Sequence, residues 1–170
     1  MGFLTHPHPA CGADTEHFCL ESAGARFGFG AGDASRDFRS GEAFLNCNLP
    51  LLWEPATSLF ISIRIDFSAG WLGRGDQNAS MASVGPTLVL RYKDIPISLE
   101  AGSSSTVMSA HDFGDLDLGD TFQFTTHAGL NWEIARHWRL GYRFQHTSNA
   151  GLANKNPGLN LHSFGVSYVF

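Results

Sequence analysis

Residues 59–71 read LFISIRIDFSAGW, and the alternation within them decides the fold. Leu59, Ile61, Ile63, Ile65, Phe67, Ala69 and Trp71 share one side, against Ser62, Arg64, Asp66 and Ser68 on the other. That two-residue period belongs to a β-strand with one apolar face, whereas an amphipathic helix repeats every ~3.6 residues. The period returns in TFQFTTHAGLNWEI (121–134), WRLGYRFQ (138–145) and HSFGVSYVF (162–170). Weaker alternation covers residues 22–30, 40–49, 80–92 and 95–104, the last two joined by a short turn at Lys93-Asp94. The count is eight strands in an all-β chain.

A chain of 170 residues is long enough for one domain with a sizeable interior and short for two. Only 16% of residues are charged against 43% hydrophobic, with 14 Phe and 19 Gly, so charge to cover a soluble surface is scarce. No apolar run approaches the ~18 residues of a membrane-spanning helix. A transmembrane β-barrel escapes that test because its strands alternate. The net charge of -5 and the lack of a basic patch exclude a nucleic-acid partner, since phosphate binding needs clustered cations. Cys11, Cys19 and Cys47 show neither C-x-x-C spacing nor a matching histidine pair, so no metal site is expected and one disulfide at most. The stretch MGFLTHPHPACGADTEHFC has neither the basic start nor the apolar centre of a secretory signal, so a signal peptide is expected to lie upstream or to have been removed. Residues 1–20 are expected to be disordered and residues 21–170 to form the single domain.

Alternation alone does not choose between a soluble barrel, with its apolar face inside, and a membrane barrel, with that face outside. Three features choose lipid. The polar face mixes Arg64, Asp66, Glu100, Glu133 and Arg143 with Gly and Ser, which suits a narrow hydrogen-bonded interior. Trp71, Trp132, Trp138, Tyr168 and Phe170 lie near strand ends, where aromatic girdles meet headgroups. The final strand ends on an aromatic residue. The fold predicted is an eight-stranded antiparallel transmembrane β-barrel. With both termini periplasmic, the connections near 31–39, 72–79, 105–119 and 149–159 would face outward and be long and polar. Those at 93–94 and 135–137 would be short inner turns. LPLLWEPAT (49–57) is expected to be a longer inner connection, with Pro50 and Pro55 blocking further pairing.

Strand parity places His146 and Ser148 of YRFQHTSNAGL (142–152) on the lipid side, at the outward end of their strand, and gives Asn160 the same parity across the loop. Three polar side chains on an apolar face suit a substrate that is itself a lipid. HTSNAGLANKNPGLN (146–160) resembles the signature of the PagL family of lipid A 3-O-deacylases, and the strand plan extends that resemblance over most of the chain. The resemblance implies an outer-membrane serine esterase with its site facing the outer leaflet. It implies Ser148 as nucleophile and His146 as general base, with Asn156 and the amides of Asn149 and Gly151 holding the oxyanion. It implies no cofactor. The partners it implies are lipid A and outer-membrane lipid, with a homodimer as an open option.

One position departs from the family pattern. Where a glutamate is expected to orient the histidine, twelve residues after the serine, this sequence has Asn160, and no Asp or Glu follows Glu133. An amide oxygen can still accept the imidazole N–H and fix its tautomer, but it cannot offer the imidazolium a full charge. The alternative reading is a non-catalytic small barrel in which His146 and Ser148 are interfacial polar residues and Asn149, Gly151, Asn156 and Gly158 form a loop. His127 has interior parity and is expected to join the interior network. Asp112, Asp115, Asp117 and Asp120 of HDFGDLDLGD (111–120) lack EF-hand spacing and read as a solvated acidic loop.

Overall fold

The computed structural model describes residues 19–170. Eight antiparallel strands close into a barrel: β1 (Cys19–Gly30), β2 (Phe38–Ala56), β3 (Leu59–Arg74), β4 (Gln77–Tyr92), β5 (Ile97–Met108), β8 (Phe122–Ala135), β9 (Trp138–Ser148) and β10 (Leu159–Val169). Two short strands, β6 (Asp112–Phe113) and β7 (Leu116–Asp117), pair as a hairpin within the connection from β5 to β8. Closure comes from β1 pairing with β10, in register from Ser22↔Val169 to Gly30↔Leu161. Every strand of the barrel therefore has two neighbours, and the barrel leaves no edge for another chain to extend. Strand β1 takes in Cys19 and Leu20 of the segment expected to be disordered, while residues 1–18, with Cys11, lie outside the described residues. Cys19 is disulfide-bonded and Cys47 is a free, buried thiol.

Two connections differ from expectation. The segment 72–79 is not a long loop: Leu72↔Ala79 and Arg74↔Gln77 stay paired, and only Gly75 and Asp76 turn the chain. Nor do the prolines end β2, which runs on to Ala56. Pro50 falls inside the register shift between Asn48 and Leu52, and Pro55 inside that between Trp53 and Ala56. Bulged positions ask for no ladder hydrogen bond, so a residue without N–H costs nothing there. One end of the barrel thus carries three long connections, 31–37, 109–121 and 149–158, and the opposite end only short turns.

The outward faces carry Phe27, Leu45, Phe67, Leu88, Leu130 and Phe164, all substantially exposed. Such an apolar belt on a closed barrel is the surface that lipid covers. The interior is filled in layers. Toward the short-turn end Glu21 accepts hydrogen bonds from Arg91 (2.7 Å) and Arg139 (3.0 Å), Asp66 from Arg64 (2.7 Å) and Arg143 (2.9 Å), and Glu100 from Arg64 (2.6 Å), Arg143 (2.9 Å) and Asn131 (2.7 Å). His127 joins through Thr87, at 3.3 Å, whereas Glu133 lies half-exposed beside Arg139. Toward the long-loop end the filling becomes apolar: Phe38, Leu72, Met81, Leu159 and Leu161 point inward and Phe113 and Leu118 of the 109–121 connection press down on them. The barrel is a packed body, and the cavity among its arginines is only about 30 Å³, the space of a water molecule.

Candidate active site

The long-loop end of β9 carries His146 and Ser148, two residues apart and both partly exposed on the outward face. Residues i and i+2 of a strand stand on the same face with their Cα atoms about 6.6–6.8 Å apart, a gap that an imidazole and a hydroxymethyl group together can close. Asn160 sits directly opposite His146 in the β9–β10 ladder. A directly paired residue brings its Cβ within about 5 Å. That register delivers the contact: His146 Nδ1 lies 2.8 Å from Asn160 Oδ1. Because the oxygen faces the ring, Nδ1 carries the hydrogen and Nε2 keeps its lone pair. Ser148 Oγ has no hydrogen-bond partner among the described residues, so its hydroxyl is uncommitted.

The loop after Ser148 is held from within. Ala150 (φ 54°) and Gly151 (φ 81°) both adopt left-handed backbone, which lets the Leu152 N–H donate back to the Asn149 carbonyl at 3.0 Å. The Asn149 N–H donates to Asn156 Oδ1 (3.1 Å), and the Gly151 N–H to Asn149 Oδ1 (2.9 Å). Both backbone amides singled out in the sequence are therefore engaged by side-chain oxygens, and Asn156 keeps its Nδ2 donors free. Asn149 is fully buried, and its Nδ2 donates to the carbonyls of Lys155 (2.6 Å) and Leu118 (2.9 Å). The second of these bonds ties the 149–158 loop to the 109–121 connection.

Sequence reasoning missed three supports. Ser35, 125 positions away, is buried and its Oγ accepts the Asn160 N–H at 3.1 Å, while the Asn160 carbonyl accepts the Ala31 N–H at 2.8 Å. No local pattern announces a hydroxyl that acts across barrel closure. Gly158 is the second: a Cβ there would stand 2.7 Å from His146 Cε1, at a backbone φ of +71°. Gly158→Ala combines left-handed strain of about 1–2 kcal/mol with displacement of the ring, and about a tenfold loss of turnover is expected with the barrel still folded. Steady-state kinetics beside heat-modifiable gel migration checks it.

Asp117 is the third. Its carboxylate meets His111 Nδ1 (2.8 Å), the Lys155 ammonium (3.0 Å) and the Gly119 N–H (2.8 Å), and these partners, His111 first, hold its carboxyl well below the usual carboxylate range. A depressed folded pKa gives stability that is present above the unfolded value near 4 and is lost as the pH falls through the folded one. Asp117→Asn should therefore speed proteolysis of the 149–158 loop by a constant factor from neutral pH down to about 4.5, and that factor should shrink below the ordinary carboxylate range. A factor that shrinks between pH 7 and 5 would remove Asp117 from the role.

The carboxylates of the acidic loop are engaged within the protein. Asp112 caps the Gly114 N–H at 3.0 Å, Asp115 pairs with Arg74, and Asp120 accepts from Phe122 N at 3.3 Å. Among the described residues no three His, Cys, Asp or Glu side chains converge as metal ligands.

Comparison with known proteins bears on the fold and the family. A family model described as lipid A 3-O-deacylase (PagL) matches residues 41–169. The lipid A deacylase PagL of Bordetella bronchiseptica is 40% identical over 72 residues, 42% of this chain and 40% of that protein. The lipid A deacylase PagL of Pseudomonas aeruginosa is 32% identical over 97 residues, 55% of this chain and 56% of that protein. The matched regions thus span about half the length of these relatives. The crystal structure of the outer membrane enzyme PagL superposes with a TM-score of 0.75 at 23% identity, covering 86% of this chain and 97% of that one. Neisserial surface protein A gives a TM-score of 0.50 at 12% identity, over 90% of this chain and 97% of its own.

Proposed function

The chain belongs to the lipid A 3-O-deacylase (PagL) family, and from that premise we propose that it is an outer-membrane serine esterase that hydrolyses the 3-O-linked acyl chain of lipid A. The observation that carries the reading is the 2.8 Å contact of His146 Nδ1 with Asn160 Oδ1 on the lipid-facing wall, two residues from an uncommitted serine. The long-loop end faces outward, so the site meets the outer leaflet, and the substrate reaches it sideways within the bilayer.

His146 Nε2 takes the proton of Ser148 as Oγ bonds to the ester carbonyl carbon. The oxyanion is received by Asn156 Nδ2, and the amides of Asn149 and Gly151 add to it by exchanging the side-chain oxygens they now hold. Collapse breaks the bond to the sugar oxygen, which leaves with the proton from Nε2. Water, deprotonated by the same nitrogen, then frees the acyl group from Ser148 as a fatty acid. Nε2 then passes the proton taken from water to Ser148 Oγ, which restores the starting enzyme without a cofactor in any step.

Mass spectrometry of lipid A from cells with and without the protein tests the reading. Loss of one ester-linked acyl chain is expected. An unchanged acylation pattern, with folded protein in the outer-membrane fraction, would leave a non-catalytic barrel as the better account.

A further inference from the structure

The polar filling of the barrel leaves one buried guanidinium without a hydrogen bond among the described residues. Arg26, on β1, is 7% exposed, yet the carboxylate beside it, that of Glu42, comes no closer than 3.8 Å, and the Phe44 ring lies 4.5 Å from its guanidinium carbon. Its Nε is buried and has no acceptor. The same shortage recurs at Arg139, whose Nη2 donates to Glu21 while its buried Nε has no acceptor. Buried charges are costly unless polar groups meet them.

Both arginines line the cavity of about 30 Å³, together with Arg64 and Arg143. Gly141 and Gly165, paired across β9 and β10, open this space because neither sends a side chain into it. Glu100 is the one carboxylate of the lining, and Arg64, Arg143 and Asn131 already donate to it. Ser163 adds a buried hydroxyl without a partner, which can donate. Asn46 Oδ1 also lacks a donor; turning that amide over lets Ser22 donate to Oδ1 and brings Nδ2 to the cavity wall. The wall is thus rich in donors and short of acceptors. A water there brings two hydrogens of its own to place, whereas a monatomic anion accepts from every side. We propose that the barrel interior binds one halide ion, chloride in an ordinary saline medium, held by the Nε groups of Arg26 and Arg139 and by the Ser163 hydroxyl. The volume is too small for sulfate or phosphate. The ion completes the charged layers of the interior, and the proposal stands apart from the esterase reading.

The test heats the full chain, folded in detergent micelles, in sodium chloride, sodium bromide or sodium gluconate at equal ionic strength, and reads the folded fraction by heat-modifiable gel migration. A ligand of the folded state at ten times its Kd raises the unfolding midpoint of a chain of this size by about 3–6 °C. Chloride and bromide are expected to give that rise over gluconate and to saturate, whereas ionic screening alone gives equal midpoints. Arg26→Gln removes the charge and should abolish the rise. Gly141→Ala leaves every charge in place and puts a methyl group into the cavity, where it meets only Asn131 Oδ1, at 2.9 Å, and should abolish the rise as well. Wild-type crystals grown in bromide should show an anomalous peak between Arg26 and Arg139. Equal midpoints in the three salts, a halide rise that Gly141→Ala keeps, or a cavity that holds water alone in the bromide crystals would each overturn the proposal. These three readouts decide it even where Arg26→Gln does not fold.

Discussion

Ser148→Ala is expected to lower kcat for lipid A deacylation by at least about a thousandfold, with His146→Ala in the same range and the double variant hardly worse than either. In the mechanism proposed the two side chains form one proton-transfer unit. Without the hydroxyl no acyl-enzyme forms, and without the imidazole the hydroxyl is a poor nucleophile at neutral pH. The serine change is structurally mild, because its Oγ bonds to nothing in the fold and its strand is held by pairing with β8 from Phe124↔Ser148 onward. Heat-modifiable migration should therefore survive while hydrolysis does not. Measuring single-turnover acylation and steady-state release separately shows whether both halves of the reaction fail. A Ser148→Ala protein that still deacylates within tenfold of wild type would mean that another group carries the nucleophile.

The parts of the fold legible in the sequence are those fixed by a period of two. Once Ile61 to Trp71 face lipid, Arg64, Asp66 and Leu72 must face inward, and the charged interior network follows. The same parity put His146, Ser148 and Asn160 on one face before any contact was known. Composition was a poorer guide than period. GRGDQN (73–78) has the residues of a polar loop, yet the ladder runs through most of it because Leu72 and Ala79 are needed in the apolar filling at that end. Pro50 and Pro55 read as stops, but two register shifts give each a position where no N–H is asked for. The supports of the site were hidden for a different reason. Ser35, Leu118 and Asp117 act through contacts that exist only after the barrel closes and the 109–121 connection folds over its mouth.

Asn160→Ala is expected to cost about ten- to a hundredfold in kcat, less than the loss of Ser148 or His146, because one uncharged hydrogen bond contributes only about 1.4–2.7 kcal/mol to the barrier. In the mechanism proposed the acceptor at 2.8 Å keeps the hydrogen on Nδ1; without it the ring can turn or take the other tautomer, and Nε2 would no longer serve as the base. The backbone at this position does not depend on the side chain, since Ser35 Oγ and the Ala31 N–H hold the N–H and carbonyl of Asn160. The barrel should fold unchanged, and the loss should fall on kcat rather than KM. Asn160→Asp places an acceptor of the same reach and adds a charge that favours imidazolium; Asn160→Glu restores the residue type the family pattern leads one to expect. Both should preserve or raise kcat, since a carboxylate stabilises the imidazolium formed as the serine gives up its proton. The native asparagine avoids placing a carboxylate against lipid, where an unpaired charge is costly whenever His146 is neutral. Its expected signature is a somewhat slower chemical step than either carboxylate variant shows. If Asn160→Ala instead matches wild type in kcat and pH profile, Asn160 does not orient the ring and His146 and Ser148 act as a dyad.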